Sequence, residues 1–191
     1  MVLTALCLAS AGAEAEAAHP QAAFDRNSRS RGVLWGWGHT WRHGWPGYGH
    51  TETDVAFAAF HPQMGWFASD RLELYGEGTL LVYYEPQWDV SAGLVGIGGR
   101  YHLARESWAP YLTLGGGLIW TSLDHETAPE IDRAFNFQVI WGAGLRRIRE
   151  GGPGWLIEVR NHHISNAGTA GRNLGINAIT LVGGFDWVLR R

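Results

Sequence analysis

Strict two-residue alternation of apolar and polar side chains runs from Ala134 to Arg147. Phe135, Phe137, Val139, Trp141, Ala143 and Leu145 share one parity. Asn136, Gln138, Gly142, Gly144 and Arg146 share the other, where Ile140 is the one apolar member. Successive strand side chains point to opposite faces, so this period predicts a strand with one apolar face and excludes an amphipathic helix. Arg71 to Tyr84 repeats the pattern: Leu72, Leu74, Leu80 and Val82 oppose Glu73, Tyr75, Glu77 and Thr79. Pro110 to Thr121 sets Leu112, Leu114, Leu118 and Trp120 against Tyr111, Thr113, Gly115 and Gly117. Weaker alternation marks 32–43, 54–67, 90–103, 154–165 and 176–189, which makes eight strands in all.

A soluble sandwich alternates too, but three features favour a barrel in a membrane. The strands match the roughly 9–11 residues a tilted strand needs to cross a bilayer. Their second face is polar and Gly-rich, as a small barrel's interior is. Trp and Tyr gather towards segment ends (Tyr83, Tyr84, Trp88, Trp108, Trp120, Trp155 and Trp187), as in interfacial aromatic girdles. Charged residues are 17% of the chain, below the roughly 25% of an average soluble domain. No run of about 18 apolar residues occurs, which excludes a spanning helix and leaves a barrel open. The expected fold is all-β: an eight-stranded antiparallel up-and-down transmembrane β-barrel of the outer-membrane type. Short joins near Ser69, Arg105 and Gly151, with longer ones at 44–53, 122–133 and 166–175, place both chain ends in the periplasm.

Residues 1–18 read as a signal peptide: Val2 to Ala11 are apolar and the small Ala11-Gly12-Ala13 follow. The positively charged opening of such signals is missing, which fits a start inside the full signal. Residues 19–30 read as a polar linker, and 31–191 as the barrel. A net charge of -3 excludes the basic footprint of a nucleic-acid binder. The lone Cys7 excludes a disulfide framework and a Cys-based zinc site.

One stretch is unlike generic barrel: Asn161-His162-His163-Ile164-Ser165-Asn166-Ala167-Gly168, followed by Arg172-Asn173-Leu174-Gly175-Ile176-Asn177. Trp155, Ile157 and Val159 set the lipid-facing parity of the seventh strand, which puts His163 and Ser165 on that face. Ile179, Leu181, Phe185, Trp187 and Leu189 do the same for Asn177 on the eighth. Polar groups facing lipid cost free energy unless paired, so the trio needs a reason. His163 can take the Ser165 hydroxyl proton, and Asn177 can hold the other imidazole nitrogen and fix the tautomer. Backbone N–H groups from Asn166 to Gly168 can form an oxyanion hole. The target of such a site is an ester in the outer leaflet. Polar side chains at a rim that only touch headgroups are the competing reading.

Other candidates read as structural. Glu73 and Glu77 share an inward face, where Arg146 or Arg160 can pair with them. Glu158 is inward by parity, and Asp186 is inward and at the wrong end of the barrel. His39, His43 and His50, in or near the first outer loop, match no closed zinc site, and no metal or other cofactor is expected. The sequence around His61, His102 and His125 suggests no site for them. Gly115-Gly116-Gly117 has no helix after it and suits barrel curvature rather than phosphate binding. Arg172, in the last outer loop, can contact a substrate phosphate or be an ordinary loop arginine, and the sequence favours neither.

The segment resembles the PagL-type lipid A 3-O-deacylase (acyloxyacyl hydrolase) family. That family carries a His-x-Ser-Asn run, here His163, Ser165 and Asn166, and an Asn-Pro-Gly-like turn before the last strand, here Asn173-Leu174-Gly175. Gly99-Arg100-Tyr101, Pro110-Tyr111 and Phe135-Asn136-Phe137 are also similar, and the likeness spans roughly 31–189. The terminal Gly184-Phe185-Asp186-Trp187-Val188-Leu189 resembles a barrel assembly signal, with Leu189 and two Arg in place of the usual final Phe. The resemblance implies an integral barrel of the Gram-negative outer membrane. Such a barrel removes the ester-linked 3-O-acyl chain of lipid A (lipopolysaccharide) from its outer wall, without a metal. It implies Ser165 as nucleophile, His163 as base, and Asn166 and Gly168 at the oxyanion-hole positions. Lipopolysaccharide is the expected partner, and a homodimer is compatible with it. Asn177 stands where the best-known members carry Glu. That departure leaves a second reading open: a non-catalytic barrel of the same family that associates with lipopolysaccharide. A pore is disfavoured, because eight strands leave an interior that side chains fill.

Overall fold

A computed structural model describes residues 23–41, 52–85, 87–131, 133–149, 152–171 and 173–190. Eight strands follow in order: β1 (Arg29–Thr40), β2 (Ala56–Phe67), β3 (Leu72–Glu85), β4 (Asp89–His102), β5 (Trp108–Thr121), β6 (Phe135–Arg147), β7 (Gly154–Ser165) and β8 (Ile176–Leu189). Each pairs antiparallel with the next, and β1 pairs with β8 from Arg29↔Leu189 to Thr40↔Ala178. Closure removes both sheet edges, so each strand's backbone donors and acceptors meet a neighbouring strand.

The expected parity holds around the wall. Ile97 (80% exposed), Leu114 (62%), Val159 (52%) and Leu181 (49%) face outward, while Glu73, Glu77, Arg100, Asn136, Gln138, Arg146 and Glu158 are buried inside. Leu118 and Trp120 of β5 stand opposite Phe137 and Phe135 of β6, as the alternation requires. The strand register shifts between Val95 and Ile97 of β4, opposite β5's glycine run. A Cβ on Gly117 would lie 1.8 Å from the Leu94 carbonyl oxygen, so only glycine fits there. The glycine run is therefore a device of wall geometry, as its place inside a strand suggested.

Among the described residues, three arginines and four carboxylates occupy the interior. Arg146 Nη1 lies 3.0 Å from Glu73 and its Nη2 2.6 Å from Asp186. Arg160 reaches Glu77 and Glu158, each at 2.6 Å. Arg100 lies 3.6 Å from Glu73 and 3.7 Å from Glu158, and its guanidinium sits 4.0 Å from the Tyr75 ring centre. Tyr111 donates to Glu158 at 2.8 Å. Glu73 and Glu77 are thus partners of Arg146 and Arg160, as inward parity predicted. Buried ions hold only when paired and hydrogen-bonded, and here each charge meets an opposite one. His61 joins through Nδ1, 3.2 Å from Glu77.

The start of the chain differs from expectation. Residues 23–30, read as the end of a polar linker, belong to the barrel: β1 begins at Arg29, and Phe24 is fully buried. Its ring lies 4.5 Å from Phe67 and 4.8 Å from His102, and Ala23 N–H donates to the Arg105 carbonyl at 2.7 Å. A single aromatic stopper carries no period, so alternation could not reveal it. The proposed signal segment, 1–18, lies outside the described residues. β1 also ends at Thr40, three residues before the expected 43.

The interior lattice generates a stability prediction. Arg146→Met leaves Asp186 buried without its guanidinium and Glu73 with Arg100 alone. It should destabilise the barrel by about 3–5 kcal/mol, read as a lower denaturant midpoint for unfolding from lipid vesicles. The triple change of Arg146→Met with Glu73→Gln and Asp186→Asn should recover part of that loss.

Candidate active site on the outer wall

The end of β7 brings the three expected side chains to one face. In the β6–β7 ladder Val139 stands opposite His163 and Phe137 opposite Ser165. In the β7–β8 ladder His163 stands directly opposite Asn177. Directly opposed residues project to the same side of a sheet. Val139, Phe137, Val159 and Ile179 are exposed on the outer wall, so His163, Ser165 and Asn177 belong to that wall as well. The outward-facing trio is therefore set by register, not by loop placement.

His163 Nδ1 and Asn177 Oδ1 are 2.9 Å apart. A carboxamide oxygen only accepts, so the proton of this bond sits on Nδ1. That leaves the lone pair on Nε2, the tautomer a general base requires. Ser165 is half-buried at the end of β7, two residues beyond His163. Residues i and i+2 on a strand lie about 6.6 Å apart at Cα, which imidazole and hydroxymethyl side chains together can span. His163 is 7% exposed and Asn177 0%, although both belong to the outer wall. The pair is screened, whereas its apolar neighbours are open.

The chain after Ser165 folds into a tight turn. Ala167 and Gly168 take left-handed conformations, with φ of 52° and 75°. Gly168 N–H donates to Asn166 Oδ1 at 2.9 Å, and Thr169 N–H to the Asn166 carbonyl at 3.0 Å. Asn166 N–H donates to Asn173 Oδ1 at 3.0 Å, and Arg133 reaches Thr169 Oγ1 at 3.2 Å. Both N–H groups expected at an oxyanion hole thus belong to this turn, held by neutral carboxamide oxygens. Arg172, His43 and His50 lie outside the described residues.

Four residues near the site were given no role by the sequence, although Asn161, Asn173 and Gly175 lie in the stretch it singles out. Asn161 shares the outward parity of Val159 and His163 and is buried; its Oδ1 accepts from the Trp41 indole N–H at 3.1 Å. The Trp41 backbone N–H donates to the Asn177 carbonyl at 2.9 Å, so Trp41 ties the strand of His163 to the strand of Asn177. Asn173 holds the turn after Ser165. Gly175, at φ 75°, packs over the imidazole: a Cβ there would lie 2.5 Å from His163 Cε1. Parity alone could have flagged Asn161. Trp41 gave no signal, because its partner lies 120 positions away.

The set-aside candidates sit elsewhere. His162 points inward, with Nε2 2.9 Å from Gln138 Oε1. Glu158 and Asp186 belong to the interior lattice with Arg160 and Arg146. His39 faces Asp54 at 3.4 Å near the outer rim. Among the described residues no group of three or more His, Cys, Asp or Glu side chains is placed to hold a metal ion.

Among solved structures, the chain is similar to the outer membrane enzyme PagL, with 19% identity over 83% of this chain and 98% of that one, at a TM-score of 0.60. It is also similar to Neisserial surface protein A (NspA), with 12% identity over 84% of this chain and 96% of that one, at a TM-score of 0.57. Both likenesses concern the closed barrel. No curated protein sequence matches significantly. The model of the family described as lipid A 3-O-deacylase (PagL) matches residues 29–186, a span that runs from the first residue of β1 to near the end of β8 and includes the whole outer-wall site. The chain belongs to the lipid A 3-O-deacylase (PagL) family, and its fold is that of the outer-membrane barrels.

Proposed function

We propose that this outer-membrane barrel is a serine esterase that removes the 3-O-acyl chain of lipid A from the hydrocarbon side. The observation that carries the reading is the His163–Asn177 hydrogen bond, one strand step from Ser165 on an otherwise apolar wall. A glycolipid lying against β6–β8 brings its acyl chains along Val159, Ile179 and Leu181. Its ester linkages then lie level with the outer ends of β7 and β8.

Ser165 Oγ attacks the ester carbonyl carbon as His163 Nε2 takes the hydroxyl proton. Asn177 holds Nδ1–H throughout and keeps the ring in register. The negative charge that develops on the carbonyl oxygen competes for the N–H groups of Asn166 and Gly168. Charge-assisted hydrogen bonds are roughly twice as strong as neutral ones, which favours transfer of these donors from the carboxamide oxygens. Collapse breaks the bond to the sugar oxygen, which leaves with the proton from His163. Water, deprotonated by the same imidazole, then releases the fatty acid from Ser165. Arg172 is assigned to a phosphate of the glycolipid headgroup, from its place in the sequence.

Asn177 carries the one argument for a silent barrel. It orients His163 but adds no negative charge beside the imidazolium that forms in each step. A Glu there would stabilise that cation. The reading therefore includes slow turnover.

Three measurements test it. Mass spectrometry of lipid A from cells with and without the protein should show loss of one 3-linked acyl chain, and an unchanged lipid A profile would leave the silent barrel. Ser165→Ala should abolish hydrolysis of purified lipopolysaccharide while the barrel keeps its heat-modifiable gel migration; surviving activity would remove Ser165 as nucleophile. Asn177→Glu should raise turnover about tenfold or more, and equal or lower turnover counts against the triad. A fourth concerns Gly175. Gly175→Ala pushes a methyl into the imidazole and strains a left-handed backbone. Turnover should fall about 100-fold with the barrel still folded, and wild-type turnover would mean that the imidazole position does not matter.

A further inference from the structure

Glu130, in the loop between β5 and β6, is fully buried on the outer side of the barrel, outside the interior charge lattice. Its carboxylate is spent on the loop between β1 and β2. Oε1 accepts the Thr53 N–H at 2.7 Å and the Glu52 N–H, and Oε2 accepts the Thr53 hydroxyl. Its main chain reaches the other way. The Glu130 carbonyl accepts the Leu174 N–H at 3.2 Å, and the next residue, Ile131, forms a β-bridge with Asn173. Asn173 holds the Asn166 N–H next to Ser165, and Gly175 lies over the His163 ring.

We infer that Glu130 is a positioning residue for this site: through Asn173 and Leu174 it fixes both the turn that follows Ser165 and the backbone that packs on His163. The inference rests on the esterase reading for its effect on activity, though not for the effect on loop order. The physical case is one of acceptors. Three neutral donors from one loop converge on a single dehydrated carboxylate, and only an anion with two accepting oxygens satisfies all of them. That carboxylate locks its own backbone in place, and the backbone is the surface on which the last outer loop is built. Among the described residues the β6–β7 ladder ends at Phe137↔Ser165. Beyond it the turn is held by its own hydrogen bonds to Asn166 and by the neighbouring loop through Asn173.

Glu130→Gln tests this, because an amide of the same shape turns one acceptor into a donor facing donors. Two readouts are used in detergent-solubilised full-length protein. The first is hydrogen–deuterium exchange at the Asn166 and Leu174 amides, which should quicken about tenfold or more while strand amides stay protected. The second is the rate at which a lipophilic fluorophosphonate labels Ser165, which should fall about tenfold or more at unchanged heat-modifiable migration. Thr53→Val, which removes one donor and keeps the carboxylate, should move both readouts the same way by a smaller factor. It decides the matter if Glu130→Gln does not fold. Glu130→Asp, which keeps both oxygens, should lie closer to wild type than Glu130→Gln. Unchanged exchange at Asn166 and Leu174 in the folded variants overturns the inference. If wild type and Ser165→Ala take up the probe alike, the esterase reading fails instead, and amide exchange still decides the role of Glu130.

Discussion

A side chain on a closed eight-stranded barrel has two destinations: a packed interior or the surrounding hydrocarbon. Most other features of this chain follow from that constraint. Charges must go inward and be neutralised there, which is why Arg100, Arg146 and Arg160 meet Glu73, Glu77, Glu158 and Asp186 at hydrogen-bonding or ion-pair distance. The filled interior supplies a rigid core, and the wall is free to carry chemistry. The wall itself is apolar, so any polar residue on it stands against a gradient of several kcal/mol. The His163–Asn177 pair meets that cost in two ways: it is internally hydrogen-bonded, and it is screened from its surroundings.

The fold was legible because alternation is a backbone property that tertiary contacts can only reinforce. β6, β7 and β8 lie within a residue of where the pattern placed them, since apolar residues alternate along β6, the first half of β7 and most of β8. The site was legible for the same reason, as parity put His163, Ser165 and Asn177 on one surface before any distance was known. What alternation cannot carry is a contact made by one residue outside a repeat. Phe24 stops the barrel's inner end as a lone aromatic in a polar stretch. Trp41 and Glu130 act across loops on partners far off in sequence, at Asn161 and Thr53. The turn after Ser165 was half legible: its residues were named, but the hydrogen bonds by which the carboxamides of Asn166 and Asn173 hold its N–H groups were not.

The placement of the trio also explains why the outer loops matter to a site built on strands. Strand pairing fixes His163 and Asn177 across the β7–β8 ladder, but β7 ends at Ser165. Ser165 therefore sits where regular structure stops. Beyond it the backbone takes two successive left-handed residues, which a ladder cannot hold. Support must come from loops, and the described loops supply it through Asn173, Ile131 and Glu130. Half of the site thus inherits the rigidity of the barrel, and half inherits the order of its outer rim.

Asn177 fits the same balance. Opposite His163, on a screened patch of an apolar wall, a carboxylate would be a dehydrated anion facing a neutral imidazole for most of the catalytic cycle. Only in the transition states, when the imidazole is charged, would it be compensated. An Asn makes the resting pair neutral, with Nδ1–H donated to a carboxamide oxygen and no ion to bury. The wall is more stable at rest, and the imidazolium is less stable when it forms. On the proposed mechanism, an uncharged orienting residue trades transition-state stabilisation for a wall that carries no net charge towards lipid. The two terms would act at different moments of the proposed cycle, so they need not cancel: stability is governed by the resting pair, and turnover would be governed by the charged one.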